Sequence, residues 1–270
     1  MLRSFFAIVG FFACAALPVP GVGAPAKCDP AAFRVVVDVG HTAEVPGAIS
    51  ARGVPEYAFN LRLAQTIDKH LAAAGFAKRV LLVTAGRSFA GLSQRVARAN
   101  SLPADLFISI HHDSVPERFL DSWSPDGVER KFSDHFKGHS IFISHENPHP
   151  AASLRFAQLL GGELKARGLV YTTHYAEPYM LGRRRHLLDG DAGVYRFDEL
   201  IVLRKTQMPA VLLEAGSIIN REEEQANGDA RAPGTDRRRG GRGGAQLLPR
   251  ALRPRSGCLQ ASGGEEGWSG

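Results

Sequence analysis

The chain has 270 residues, 44% of them hydrophobic and 22% charged, an ordinary globular composition with enough apolar mass for a substantial core. Its formal charge of +6 invites a nucleic-acid or membrane reading, but residues 225–270 alone hold eight Arg against Asp229, Asp236, Glu265 and Glu266. Only 25 basic and 23 acidic residues remain elsewhere, so the body is nearly neutral and nucleic acid is excluded as a partner.

The N-terminus reads as a signal peptide over residues 1–26. Met1-Leu2-Arg3 gives the positive start, Phe5 to Leu17 a continuous apolar run, and Ala24-Pro25-Ala26 or Val22-Gly23-Ala24 a cleavage pattern. The run is too short to span a bilayer comfortably. A removed leader is expected, and with it a periplasmic or secreted protein. Cys14 would leave with the leader; Cys28 and Cys258 remain, and no disulfide is expected between them.

Residues 34–39 carry Val35-Val36-Val37 and read as a strand buried on both faces. That strand ends in Gly40-His41. A loop rich in Gly, Ala and Ser follows and closes on Glu56, fifteen positions after the histidine, where a helical pattern runs to Gly75. Arg79 to Val83 reads as a short strand, Leu92 to Ser101 as a helix, and Ala104 to His111 as a third strand. Residues 112–138 show no clean period and read as a long excursion over the sheet edge, of the kind that often forms a lid or binding loop. His139 to Ser144 reads as a strand, Pro150 to Gly168 as a helix, 171–198 as irregular, and Leu200 to Leu203 and Ala210 to Leu213 as two closing strands. Strands alternating with helices give a layered α/β domain with a parallel or mixed sheet.

From Gln225 the character changes. Arg, Gly, Ala and Pro fill 28 of 46 positions, and Ile, Val, Phe, Met and Tyr are missing altogether. Such a segment buries too little apolar surface to offset its ordering entropy and is expected to be disordered. Its composition suits an out-of-frame readout of a GC-rich gene, and a natural disordered tail is the alternative.

His41, Glu56 and His111 match in type and placement the three protein ligands of a catalytic zinc site, with both histidines at the carboxyl ends of strands. Taken singly, each has a plainer reading: a hydrogen-bonded loop histidine, or a carboxylate favoured by a helix start. Glu214 follows four apolar residues, so its burial needs a partner. It fits a general base and acid beside a metal-bound water, or a structural pair with one of Arg183–Arg185 or Lys205. His135, His139, His145, His149, His174 and His186 follow no ligand spacing and read as solvated loop residues; Arg183-Arg184-Arg185 reads either as a solvated turn or as a partner for substrate carboxylates.

Several blocks then fall in one order: Val37-Asp38-Val39-Gly40-His41; Gly53 and Glu56; Arg95 with Ala99-Asn100; Ala104 to His111; and Pro209 to Glu214 with Asn220. With these the chain resembles the zinc-dependent N-acetylmuramoyl-L-alanine amidases of the amidase 3 type, which hydrolyse peptidoglycan. The resemblance covers residues 34–224. It implies a single catalytic domain over 27–224, with a twisted, mostly parallel or mixed sheet of about six strands and helices on both faces. It also implies Zn2+ held by His41, Glu56 and His111, Glu214 as the catalytic carboxylate, and peptidoglycan as the partner of a monomeric enzyme. Val39 and Thr42 depart from the family's usual Pro and Gly. His112 stands where a small residue is usual and, one strand position on, should face away from His111. The family's last helix, due after Glu224, is not expected. Rival readings are a zinc hydrolase of another acyl-amide or peptide and a non-catalytic wall-binding protein.

Overall fold

A computed structural model describes residues 29–87 and 90–228. The expected signal segment, Cys28, Cys258 and residues 229–270 of the expected tail lie outside the described residues, while residues 225–228, expected to be disordered, are helical. In chain order the strands are β1 (Val35–Val39), β2 (Val80–Leu82), β3 (Leu106–Asp113), β4 (Asp121–Trp123), β5 (Arg130–Phe132), β6 (Ser140–Ile143), β7 (His186–Asp189), β8 (Val194–Arg196) and β9 (Ala210–Ser217). The helices are α1 (Glu56–Ala73), α2 (Ala90–Asn100), α3 (Pro150–Lys165), α4 (Ile201–Arg204) and α5 (Arg221–Gly228). Among the described residues no helix is long and apolar enough to cross a membrane.

The main sheet has seven strands in the order β2-β1-β3-β9-β6-β8-β7. β2, β1, β3 and β9 run parallel, β6 opposes β9, β8 follows β6, and β7 opposes β8. Side chains alternate across this sheet as the pleat requires. Val35, Val37, Val39, Ile108 and Ile110 face α1 and α3, where Ile67, Leu71, Phe156 and Leu160 meet them. Val36, Phe107 and Leu212 face the other way, onto Val96 of α2 and Val202 and Leu203 of α4. Helices thus cover both faces, and the central strands β1, β3 and β6 and most of β9 are buried.

Three segments differ from the sequence expectation. The sheet has seven strands rather than about six because 171–198, expected as irregular, supplies β7 and β8. Residues 112–138 hold the antiparallel hairpin β4–β5. Leu200 to Leu203, expected as a strand, is the single turn α4. A run of four apolar residues has no period that separates strand from helix, so the packing surface decided it.

Glu222-Glu223-Glu224 form the first turn of α5, which continues to Gly228, four residues past the point where no helix was expected. Its start is capped by Asn220, whose Oδ1 accepts from the amides of Glu222 and Glu223. What holds it is charge rather than apolar area. Glu224, 3% exposed, accepts from Ser50 Oγ at 2.5 Å and from the Arg52 amide at 2.9 Å, and pairs with the Arg52 guanidinium. Glu223 accepts from the amides of Ser217 and Gly138. The helix therefore ties the 48–55 loop, the end of β9 and the 134–138 segment together.

Glu224→Ala should leave Ser50 and the Arg52 amide without their acceptor and lower stability by about 2 kcal/mol. Urea unfolding would show a lower midpoint at unchanged slope; an unchanged midpoint would mean that α5 is not fastened through this carboxylate.

Candidate metal centre

The three parallel strands β1, β3 and β9 deliver their carboxyl ends to one rim, which is where open α/β sheets gather functional groups. β1 ends at Gly40, whose amide donates to Ile110 O at 2.9 Å and stitches the loop to β3. A side chain at position 40 would put its Cβ 2.4 Å from His111 Nε2, so only glycine fits. His41 then takes a left-handed backbone, φ 64°, unusual for a residue with a side chain. Arg95 of α2 fixes it there. Its guanidinium donates to His41 O at 2.9 Å, to Val39 O at 2.8 Å and to Asp38 Oδ2 at 3.0 Å, and Ser109 Oγ donates to that same Oδ2 at 2.7 Å. Burial raises the Asp38 carboxyl above its ordinary value, and Arg95 pulls the other way. The Asp38–Arg95 pair is thus a buried brace under the His41 loop.

Glu56 opens α1 and reaches both histidines. Its Oε2 lies 3.0 Å from His41 Nε2, and its Oε1 lies 3.0 Å from His111 Nδ1. The two imidazole rings meet edge to face with centroids 4.9 Å apart. One ligand atom from each of the three residues falls within 4.8 Å of the others, and among the described residues this is the cluster of His, Cys, Asp and Glu able to hold a metal ion. The site fits such an ion on two counts. Two imidazole nitrogens and a carboxylate are a donor set of catalytic divalent metals. Ligands at roughly 2.0–2.2 Å around a tetrahedral ion stand about 3.3–3.6 Å apart, close to the two Glu56 contacts. Burial works to raise the Glu56 carboxyl, but hydrogen bonds and charge from His111 and His41 outweigh it and hold it far below the usual carboxylate range.

The surroundings aim Glu56. Asn60, one turn along α1, donates to Glu56 Oε1 at 3.0 Å and to Gly40 O at 3.2 Å, and the Ala48 amide donates to Oε2 at 3.2 Å. Gly47, with φ 79°, lies so close that a Cβ there would stand 2.4 Å from Glu56 Oε2 and 2.7 Å from His41 Cδ2. The role of Asn60 was not read from sequence, although its position four residues after Glu56 on the same helix face was the available signal. His112 turns to the opposite face, as alternation requires. There its Nδ1 meets Asn60 Oδ1 at 2.8 Å and its ring packs against Phe59, a structural role.

Glu214 is the direct register partner of His111 on the neighbouring parallel strand, so the two side chains stand on the same face. It keeps part of its surface open at the rim while its Oε2 is enclosed without a hydrogen-bond partner. Burial drives its carboxyl well above the ordinary value, reinforced by the charges of Asp113 and Glu56. Of the alternative partners, Arg184 donates to Ala176 O, and Arg185 stacks on Phe197 at 3.7 Å. Asp113, beyond a register shift in β3, accepts from Tyr175 OH at 2.7 Å and lies 3.6 Å from His174 Nε2. Burial lifts Asp113 to about 7.

Two of the six other histidines are not the solvated loop residues expected. His139 and His174 are 5% and 3% exposed. His174 Nδ1 lies 2.6 Å from Thr172 Oγ1, and burial lowers its imidazole to about 4.

With this geometry in place, comparison with known proteins is informative. A family model described as N-acetylmuramoyl-L-alanine amidase matches residues 35–231. N-acetylmuramoyl-L-alanine amidase AmiC of Neisseria meningitidis is 27% identical over 217 residues, which is 72% of this chain and 47% of that protein. N-acetylmuramoyl-L-alanine amidase LytC of Bacillus subtilis is 29% identical over 186 residues, 69% of this chain and 29% of that protein. The chain thus spans less than half the length of these two relatives. The catalytic domain of CwlV, an N-acetylmuramoyl-L-alanine amidase from Bacillus (Paenibacillus) polymyxa var. colistinus, superposes with a TM-score of 0.53 at 27% identity, covering 82% of this chain and 96% of that one. Ami1 from Mycobacterium smegmatis shares the fold at a TM-score of 0.60 and 20% identity, over 83% of this chain and 97% of its own.

Gly47→Ala should displace Glu56 and His41 and weaken divalent-metal binding about tenfold or more, the scale of losses from groups that orient ligands; metal content after dialysis against a fixed metal buffer reads this out, and full retention would contradict the packing argument. A second expectation concerns pH. Because the folded chain holds His174 neutral down to about 4, against 6.5 ordinarily, the unfolded chain alone takes up its proton between those values. Stability from this group is complete above 6.5 and lost as the pH falls, by up to about 1.4 kcal/mol per pH unit. In His174→Gln that slope disappears, so the stability difference between parent and variant should change across the window; a constant difference in urea unfolding would refute it.

Proposed function

Because the chain belongs to the amidase 3 family of N-acetylmuramoyl-L-alanine amidases, we propose that it hydrolyses the amide between the lactyl group of N-acetylmuramic acid and the L-alanine of the peptidoglycan stem peptide. The observation that carries this reading is the convergence of His41, Glu56 and His111 beside an enclosed Glu214 on one sheet rim. His41, Glu56 and His111 would hold a zinc ion, whose chemistry there is Lewis acidity toward a carbonyl and a lowered pKa for water.

The chain's own residues supply the rest. Glu214 accepts the proton released as water adds to the lactyl carbonyl. It returns that proton to the nitrogen of L-alanine as the C–N bond breaks, so a free carboxyl and a free amine leave. Burial and the neighbouring carboxylates make Glu214 hold a proton more tightly than a solvated glutamate, which suits the donor half of this cycle. Asn60 and the Ala48 amide keep Glu56 aimed while Arg95 keeps the His41 backbone in place.

On this reading residues 1–26 are a signal peptide, the catalytic domain runs from residue 27 through α5, past the expected end at 224, with a tail beyond it, and the enzyme works as a monomer outside the cytoplasm, in a periplasm or secreted. Its partner is peptidoglycan and not nucleic acid.

Glu214→Ala should keep its zinc yet release muropeptides at least about a hundredfold more slowly, whereas His41→Ala should lose the metal and the activity together. Metal analysis and mass spectrometry of digested sacculi separate these outcomes, and an active Glu214→Ala protein would refute the assignment.

A further inference from the structure

A cavity of about 510 Å³ opens beside the catalytic rim, a size that suits a peptide or sugar fragment. It is built from the two long excursions. Phe119 and Phe136, 5.5 Å apart, come from the first, and Tyr179, 5.4 Å from Phe119, from the second. Arg118 ties the two lips by stacking on Phe119 at 4.5 Å and donating to Tyr179 O at 2.9 Å. His135 and Lys137 also line the cavity, and among the described residues that line it none carries a carboxylate.

This charge pattern is the reverse of the catalytic rim. There three carboxylates gather: Glu56 on His111, Glu214 opposite His111 in the sheet, and Asp113 at the end of β3. His174 forms the partition. It lines the cavity, meets Phe136 edge to face at 5.2 Å, and brings its enclosed Nε2 to 3.6 Å from Asp113. One strand repeat of two residues, about 7 Å, separates Asp113 from His111. Adding the His174 side chain puts the cavity roughly 10–15 Å from the three candidate ligands. That is the reach of three or four extended peptide residues.

We propose that this cavity is a recognition subsite for the carboxylate-bearing end of an acidic peptide, the part of the substrate that departs when the amide is cut. The proposal rests on the amidase reading for the identity of that peptide, while the binding chemistry stands by itself. The rings cover the apolar part of the chain, and Lys137 and His135 receive its carboxylate. Lys137 keeps this capacity although Glu223 is near it, because the Glu223 oxygens are engaged by the amides of Gly138 and Ser217. A cationic ligand would meet Lys137 and find no carboxylate among the described residues that line the cavity.

The test uses the full chain and a synthetic tetrapeptide, L-Ala-D-isoGlu-L-Lys-D-Ala, as the free acid and as its terminal carboxamide. Calorimetry should show the acid bound about tenfold tighter than the amide. Lys137→Ala should abolish the difference and Lys137→Arg restore it. With N-acetylmuramoyl substrates, Lys137→Ala should lower the ratio of kcat/KM for the tetrapeptide form to that for the dipeptide form about tenfold. Equal binding of acid and amide, or a preference that survives Lys137→Ala, overturns the subsite even if the chain cleaves both substrates. A chain that cleaves neither substrate but discriminates acid from amide through Lys137 upholds the subsite and removes the amidase reading instead.

Discussion

A single carboxylate, shared between two imidazoles, is the constraint from which the rest of this architecture follows. Glu56 can face His41 and His111 at once only because α1 begins at the mouth of the parallel strands, with the favourable end of its dipole turned toward the acid. The start of α1 is set in turn by β1, whose buried valines fix where the chain leaves the sheet. Asn60 then ties the helix back to the end of that strand through Gly40 O. Helix, strand and loop are therefore cross-bonded within one turn of the site. The side chains converge without any need for the loop to be stiff by itself.

The buried ionic groups differ in how far they are partnered. Asp38 Oδ2 and the Arg95 guanidinium pair with one another and Arg95 also holds backbone carbonyls beneath the rim, so charge-assisted hydrogen bonds offset part of their cost of burial, although Asp38 Oδ1 and Arg95 Nε are enclosed without partners. Glu214 has no such partner for its Oε2. That enclosed oxygen belongs to the residue that stands opposite His111 on the neighbouring parallel strand. Unsatisfied polar groups of this kind are costly and persist where the surrounding structure holds them.

Much of this was legible in the sequence where local pattern and packing agree. The valine run, the helix beginning at Glu56, and the strand ends at His41, His111 and Glu214 are each announced by their neighbours, and the seven-stranded sheet has the expected layers. Legibility failed where a residue's state is decided far along the chain. Tyr175 reaches Asp113 across 62 positions, and nothing near either residue signals it. His139 and His174 have polar surroundings in sequence and are nevertheless buried, because neighbouring strands and rings close over them. Leu200 to Leu203 could satisfy its apolar demand as a strand or as a turn of helix, and only the space left above β9 chose between them.

The last fold element carries a consequence for the gene. Arg62 donates to Gly228 O, and Glu224 closes on Ser50 and Arg52, so among the described residues the helix that ends at Gly228 is the final one on which the ligand-bearing half leans. Reading-frame damage upstream of codon 224 would release that half.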